Sequence, residues 1–207
     1  MKKLSRCLWV LLAFLTSGCG MADSDQDERD RTIYIQFTDA RFKEVCIAKY
    51  DTNRDGRLSR YEARRVLYLD CPGEGIESLW DVREFENLIT LNCSGNRLTD
   101  LDLRNCAYLR SVDCSDNQIA VLDIDGLHGL NEIDCSHNRL DRLEFERNVS
   151  LKYLDAQHND LRTIDVSGCF DWIEVNLRDN PRLTTLYVGA EQNVQHYLDP
   201  QTEIVVL

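Results

Sequence analysis

The chain carries a motif that returns every 21 residues, and this period constrains its fold more than any other feature. Each unit has apolar residues at its first, fourth, sixth and eleventh positions and an Asn at its ninth. The first positions are Leu88, Leu109, Leu130, Leu151 and Trp172. A fixed period of this length is typical of a solenoid, in which each coil buries its apolar residues by stacking on the next. We therefore predict one elongated domain whose outer surface is free to bind partners.

Two stretches of each unit alternate apolar and polar residues. The first stretch, for example Leu109 to Cys114, predicts one short strand per coil and a parallel sheet along the stack. The second stretch predicts a strand on the return side, at Leu101–Leu103, Leu122–Ile124, Leu143–Phe145 and Ile164–Val166. So short a coil has no room for a full helix. We expect the ninth-position amides to satisfy backbone groups in the turns, at Asn96, Asn117, Asn138, Asn159 and Asn180.

This pattern resembles the leucine-rich repeat family, in particular a short bacterial class in which an L-x-x-L-x-[LC]-x-x-N-x-L half precedes an L-D-L half. The resemblance implies an α/β solenoid with a parallel β-sheet over residues 66–190. A degenerate unit lies 22 residues before Leu88, with Glu74 in place of the Asn. Residues 191–207 are predicted to be a C-terminal cap, in which Ile204–Leu207 closes the exposed end of the core.

The N-terminus has the organisation of an export signal. Three basic residues precede the apolar run Cys7–Leu15, which is too short to span a bilayer, and small residues lead to Cys19. This resembles a bacterial lipoprotein signal over residues 1–19, which implies lipidation of Cys19 and a membrane anchor. An ordinary secretory signal cut nearby is the alternative.

The segment that follows the signal is rich in acidic residues. We predict that residues 20–31 form a disordered tether. An acidic run behind a lipidated cysteine also resembles the surface-export signal of Bacteroidetes lipoproteins. That resemblance implies an outer-membrane lipoprotein exposed at the cell surface, with the periplasmic side as the alternative.

Residues 51–62 match the calcium-loop pattern D-x-[DN]-x-[DN]-G-x5-E at every position. Gly56 permits the sharp turn, and Leu58 is expected to point inward. We expect Ca²⁺ to be bound by side-chain oxygens of Asp51, Asn53, Asp55 and Glu62. Arg57 would contribute its backbone carbonyl, and Ser59 would bind directly or through a water molecule. A polar turn that matches by chance is the alternative.

The flanks of this loop fit a single EF-hand-like helical cap over residues 32–65. Phe42, Val45 and Cys46 follow helical spacing, with Thr38 or Asp39 as N-cap, and residues 61–67 can form the outgoing helix. Because there is no second loop, we expect Ca²⁺ to lock local structure, at the roughly 10⁻⁴ to 10⁻³ M typical of extracellular modules. Helix, loop and repeats in this order resemble a recurrent architecture of Bacteroides surface proteins, which implies export and repeat-mediated binding.

Charge and cysteine content limit the function. There are 24 Lys and Arg against 36 Asp and Glu, a net charge of −12, and three of the basic residues lie in the signal. Nucleic acid is therefore not expected as a partner, since binding it requires a basic surface. The inward sixth position is cysteine in four units, Cys71, Cys93, Cys114 and Cys135. We expect these cysteines to be buried free thiols. Because their side chains point in parallel directions on adjacent coils, their geometry does not suit a disulfide, and no obligatory disulfide is expected.

The outward third, fifth and seventh positions define what we call the concave face. An acidic row there predicts a site for a basic or hydroxyl-rich partner, a protein or a glycan, with candidate residues Asp113, Asp134, Asp155, Glu132, Tyr153 and Glu174. Drift within the repeat is the alternative explanation of the row. His137 and His158, at the eighth position of adjacent coils, could share a transition metal or be solvated turn residues.

The sequence contains no phosphate-binding loop, nucleophile elbow or metalloprotease helix. We therefore predict a monomeric, non-enzymatic binding module anchored by lipid. The alternatives are a passive component of the cell envelope and an accessory subunit of an enzyme.

Overall fold

The computed structural model describes residues 24–124, 126–145, 150–169 and 172–207. Its helices are α1 (Ser24–Asp30), α2 (Ala40–Tyr50) and α3 (Arg60–Ala63), with a short 3₁₀ helix at Trp80–Glu84. Its strands are β1 (Tyr68–Asp70), β2 (Thr90–Asn92), β3 (Asp100–Asp102), β4 (Ser111–Asp113), β5 (Val121–Asp123), β6 (Glu132–Asp134), β7 (Tyr153–Asp155), β8 (Thr163–Asp165), β9 (Trp172–Asn176), β10 (Thr185–Val188), β11 (Asn193–Tyr197) and β12 (Glu203–Val206).

The first strand of each coil enters one seven-stranded parallel sheet, in the order β1-β2-β4-β6-β7-β9-β11. Pairing joins equivalent repeat positions: Leu91 lies opposite Val112, and Val112 lies opposite Ile133. The degenerate first unit joins in the same way, with Leu69 opposite Leu91. The predicted fold class, a parallel-strand solenoid with a small helical cap, is confirmed.

A single hydrophobic core runs through the stack. The first-position leucines of four units are fully buried, as are the cysteines of the sixth position. The unit that begins at Trp172 keeps the repeat register, since Glu174 lies opposite Tyr153, but its first position is not buried, because Trp172 is 45% exposed. In β9, Ile173 and Val175 point inward, and because side chains alternate along a strand, Trp172 lies on the outward face with Glu174.

The return side forms two smaller parallel sheets, one from β3 and β5 and one from β12, β10 and β8. The strand expected at residues 143–145 is absent from this described segment. Leu143 and Phe145 are nevertheless buried, at 5% and 7% exposure, so the apolar pattern still supplies the core where strand pairing is interrupted.

The asparagine ladder has its expected role. The side-chain Oδ1 of Asn117 accepts a hydrogen bond from the N–H of Leu98 at 3.0 Å. Its Nδ2 donates to the carbonyls of Cys93 and Cys114, at 3.0 and 3.1 Å. One amide thereby joins two successive coils, and the bonds recur at Asn96, Asn138, Asn159 and Asn180.

The N-terminal cap is built from α1, α2 and α3. Asp39 is the N-cap of α2, and its carboxylate accepts bonds from the N–H groups of Arg41 and Phe42. Outgoing helix α3 is shorter than the predicted 61–67, because the chain turns after Ala63 to enter β1. Within the described residues, no helix is long and apolar enough to cross a membrane.

The N-terminal end differs from the sequence-based expectation. Cys19 lies outside the described residues. Part of the segment expected to be a disordered tether, Ser24–Asp30, instead forms α1, and the buried Asp30 carboxylate pairs with Arg64. At the other end, the predicted closing strand is present as β12, in which Ile204 pairs with Leu186. Leu186 is fully buried and Ile204 is 42% exposed, so β12 covers the preceding strand and leaves its own outer side to solvent.

Candidate functional site

The loop at residues 51–62 is a tight turn organised around Asp51. Its Oδ1 accepts a hydrogen bond from the N–H of Arg54 at 2.7 Å, and its Oδ2 accepts one from Gly56 at 2.8 Å. Both donors have left-handed backbone conformations, with φ of 61° at Arg54 and 79° at Gly56. Glycine adopts this conformation without a Cβ penalty, which explains the residue at position six of the loop.

Glu62 closes the loop from its far end. Its Oε1 accepts hydrogen bonds from the N–H groups of Thr52 and Asn53 at 2.9 and 3.2 Å. Its Oε2 accepts from the N–H and hydroxyl of Ser59, which forms the capping box of α3. Burial by itself would raise the pKa of Glu62, but these hydrogen bonds outweigh it and hold the pKa below its usual value.

A short backbone bridge docks the loop onto the segment before α2. The N–H of Ile35 donates to the carbonyl of Leu58 at 2.9 Å, and the N–H of Arg60 donates to the carbonyl of Ile33 at 2.8 Å. Leu58 is 1% exposed, so its predicted inward orientation is confirmed. The segment Ile33–Ile35 therefore pairs with the loop at residues 51–62 through two backbone hydrogen bonds.

The six expected ligands all lie on this one loop, and their donor atoms are oxygen, which calcium prefers. Across the described ranges, no three Asp, Glu, His or Cys side chains converge closely enough to hold a metal ion as they stand. The reason lies in the bonds above, because Asp51 and Glu62 direct their oxygens to amides of the loop. The donor set fits Ca²⁺, and binding requires these carboxylates to turn toward the ion.

The acidic row of the concave face is in exact strand register: Asp113 pairs with Asp134, and Asp134 with Asp155. Oδ1 of Asp113 accepts hydrogen bonds from the backbone N–H and the hydroxyl of Ser115, at 3.1 and 2.6 Å. Asp134 and Ser136 repeat this arrangement. Each aspartate thus stabilises the turn after its strand by accepting hydrogen bonds from the residue two positions later. This role was not predicted from the sequence, although the D-x-S spacing at Asp113 and Asp134 indicates it.

Asp134 lies in the middle of this row. Burial raises its pKa to about 6, and the neighbouring charges of Asp113 and Asp155 add to the effect, while the bonds from Ser136 oppose it. The face therefore holds carboxylates that repel one another in a partly dehydrated setting. A cationic group placed over the row would relieve that repulsion.

Aromatic side chains flank the acidic row. Tyr153 pairs with Glu174 across β7 and β9, and Trp172 lies on the same outward face as Glu174. Beyond them, the guanidinium of Arg178 lies over the ring of Tyr197, with its Cζ 5.2 Å from the ring centre. Trp172 and Tyr197 were not among the residues predicted for this face from the sequence. The alternation of Ile173, Val175 and Leu177 is the signal that would have placed Trp172 outward.

The two histidines of the eighth position stack on each other. The ring centres of His137 and His158 are 4.2 Å apart, and Nε2 of His158 lies 3.1 Å from Oδ2 of Asp179. Both histidines have a left-handed backbone conformation, with φ of 54° at His137 and 53° at His158. Gly95, at the same repeat position, is also left-handed, with φ of 66°. They are turn residues, and with Asp179 they do not form a three-ligand metal group among the described residues.

Known proteins share this architecture. Residues 86–127 match the family of leucine-rich repeats (two copies). The chain is similar to the functional domain of InlJ from Listeria monocytogenes, described as including a cysteine ladder, at 28% identity and a TM-score of 0.63 over 74% of this chain. It spans 36% of that structure. The family match covers two coils, and the other strands of the main sheet continue the same parallel register on either side of them.

Two further Listeria monocytogenes internalins are similar at lower identity. InlF is 16% identical, with a TM-score of 0.45 over 81% of this chain and 68% of its own. Internalin C2 is 14% identical, with a TM-score of 0.45 over 83% of this chain and 93% of its own. The comparison with curated proteins gave no match.

Proposed function

We propose that this chain is a non-enzymatic binding module that holds a cationic segment of a protein partner on its concave face. The observation that carries the proposal is the row Asp113, Asp134 and Asp155, in register on three adjacent strands. Leucine-rich repeat arrays commonly present such faces to partners.

The electrostatics of the row favour a cationic partner. Neighbouring carboxylates at the strand spacing of about 4.8 Å repel each other by roughly 1 kcal/mol in water. The bonds from Ser115 and Ser136 go to Oδ1 of Asp113 and Asp134, which leaves Oδ2 of each for an external donor. A lysine or arginine would pair with these oxygens and remove the repulsion.

The aromatic flank favours a peptide carrying such side chains. Trp172 is 45% exposed beside Glu174, and exposed tryptophan faces attract both apolar side chains and cations. Seven strands at about 4.8 Å give a sheet near 29 Å long, and with a width of about 10–15 Å its strand face covers roughly 300–450 Å². This area is smaller than the roughly 800 Å² per partner of a standard interface. The cap or the turns must contribute to any tight complex.

A charge-neutral variant tests the proposal without disturbing the fold. Asn92 occupies the same fifth position and braces its turn through the same bonds to Ser94. Replacing Asp113 and Asp134 by Asn therefore keeps their turns and removes their charge. Asp155 is left unchanged, because it is buried and its Oδ2 accepts hydrogen bonds from the side chains of Asn176 and Gln157. A control with the same charge change lies on the return strands: Asp100→Asn and Asp165→Asn.

The probe is a displayed library of random peptides selected on the purified chain. We expect selection of peptides rich in Lys and Arg, whose affinity falls about tenfold or more in the concave-face variant and stays unchanged in the control. Selected peptides without basic residues, or equal affinity for both variants, would count against a cationic partner. Binding only on a glycan array would indicate a carbohydrate ligand instead.

Calcium in the loop at residues 51–62 is the second part of the proposal. Ca²⁺ would be held by Asp51, Asn53, Asp55 and Glu62, with the Arg57 carbonyl and Ser59, and would fix α2 to α3. We expect millimolar Ca²⁺ to raise the melting temperature of the chain, and to fail to do so in Asp51→Asn/Asp55→Asn. No shift in the unmodified chain at millimolar Ca²⁺ would refute this part.

A lipid anchor at Cys19 of an outer-membrane surface protein is the third part. Because α1 is docked through Asp30 and Arg64, only residues 20–23 separate it from Cys19, which sets an upper limit of about 18 Å on the distance between Cys19 and Ser24. The domain would then lie close to the membrane. Metabolic labelling with an alkynyl fatty acid, lost in Cys19→Ala, and protease accessibility on intact cells test the anchor and the membrane side.

A further inference from the structure

Tyr34 links the bridging segment to the calcium loop. The segment Ile33–Ile35 is paired with the loop through backbone bonds to Leu58 and Arg60, and Tyr34 lies at the centre of this bridge, opposite Ser59. The backbone hydrogen bonds of Ile33 and Ile35, on either side of Tyr34, hold the Cα of Tyr34 in place against the loop.

The side chain of Tyr34 reaches along the loop to one of the expected ligands. Its hydroxyl donates a hydrogen bond to Oδ2 of Asp55 at 3.1 Å. The guanidinium of Arg57 stacks over its ring, 4.4 Å from the ring centre. The phenol is thus held between the fifth and seventh positions of the loop.

The orientation of the Asp55 carboxylate depends on a small number of bonds. Oδ1 accepts from the N–H of Arg57 at 2.9 Å, and Oδ2 accepts from Nδ2 of Asn53 at 3.1 Å and from Tyr34. The first two donors belong to the loop and move with it. Tyr34 belongs to the bridging segment, so its hydrogen bond holds the Asp55 carboxylate relative to a residue outside the loop.

We propose that Tyr34 is a positioning residue for calcium binding, which orients Asp55 from outside the loop in place of the missing partner loop. The inference rests on the proposed calcium site. Hydrogen-bond partners of metal ligands set ligand orientation, and their removal typically lowers metal affinity by about 10- to 100-fold. A single loop with such a support does not need a second loop to hold its fifth ligand.

The test compares Tyr34→Phe with Tyr108→Phe in the purified full chain. Tyr108 is 59% exposed and lies on a turn of the repeats, so its variant controls for loss of a surface phenol. Calorimetric titration with Ca²⁺ gives the affinity. Titration with Tb³⁺, excited through aromatic side chains, reports on the ring nearest the ion. Melting in the presence of a chelator checks that the metal-free fold is intact.

We expect Tyr34→Phe to bind Ca²⁺ about tenfold more weakly, to lose most of the sensitised Tb³⁺ emission and to melt as the unmodified chain does in chelator. Tyr108→Phe should match the unmodified chain in every measurement. If the unmodified chain binds Ca²⁺ and Tyr34→Phe binds it equally well, the inference is overturned and the calcium site stands. If the unmodified chain binds no Ca²⁺, both fall together, and the concave-face proposal is unaffected.

Discussion

The hydroxyl of Tyr50 accepts a hydrogen bond from the backbone N–H of Asp70 at 3.3 Å and donates one to the carbonyl of Tyr68 at 3.0 Å. The ammonium of Lys49 also donates to the Asp70 carbonyl. The last two residues of α2 thereby satisfy backbone groups of β1, the first strand of the main sheet. Exposed strand edges invite pairing with other chains, and this contact protects one edge.

Tyr50→Phe should lower the free energy of unfolding by about 1 kcal/mol, because it leaves two backbone groups of β1 without their partner. Chemical denaturation of the purified chain measures the change. Tyr68→Phe, an exposed phenol on the same strand, is the control and should unfold as the unmodified chain does. Equal stability of all three proteins would show that water replaces the Tyr50 contact without loss.

Asn138→Ala should destabilise the chain by roughly 2–4 kcal/mol, because it removes the partners of several buried backbone groups. The amide accepts from the N–H of Ile119 at 2.8 Å and donates to the carbonyls of Cys114 and Cys135. Denaturant unfolding checks this against Gln118→Ala, an exposed neighbour expected to be neutral. A loss below about 0.5 kcal/mol in Asn138→Ala would contradict the role of the ladder.

Asp134 should make stability fall as the pH rises from about 4 to 6. Burial raises its pKa to about 6 in the folded protein, so the folded state binds this proton more tightly than the unfolded chain does. The resulting stabilisation is fully present below the unfolded pKa and is lost above about pH 6. Asp134→Asn should therefore be more stable by about 1–3 kcal/mol at neutral pH.

The difference between Asp134→Asn and the unmodified chain should shrink as the pH falls and approach zero near about pH 3, below the unfolded pKa of about 3.9, where the aspartate is mostly protonated in both states. Urea unfolding across this pH range measures it. Asp100→Asn, on the exposed return strand, is the control. A pH-independent difference would mean that Asp134 keeps its charge without penalty.

The four inward cysteines of the sixth repeat position should resist alkylation in the folded protein. Cys114 is fully buried, and burial raises the pKa of its thiol far above its usual value, so little reactive thiolate is accessible. Cys169, which is partly exposed, is the internal comparison. Mass spectrometry after iodoacetamide should show Cys71, Cys93, Cys114 and Cys135 labelled at least about tenfold more slowly than Cys169, and all of them labelled in denaturant. Equal native rates would show that the coils open readily.

The repeat predicted the stacked strands, the inward cysteines and the asparagine ladder because each coil must place the same residues inward to continue one core. At Trp172 the period held in register, but the expected burial of the first position failed, because the second position of that unit took its place in the core. Ile173 fills the core there, and the tryptophan joins the concave face. The calcium motif likewise predicted the turn at Gly56 and the buried Leu58, since both depend on local backbone geometry.

The sequence by itself therefore determined the solenoid, its register and, except at Trp172, the side of the sheet on which the repeat residues lie, because a periodic pattern encodes contacts between equivalent positions. Only the tertiary structure decided that Ser24–Asp30 docks as a helix, that Ile33–Ile35 pairs with the loop, and that Tyr34 meets Asp55. Those contacts join segments outside the repeat, where no period relates one partner to the other and only packing of the folded chain selects them.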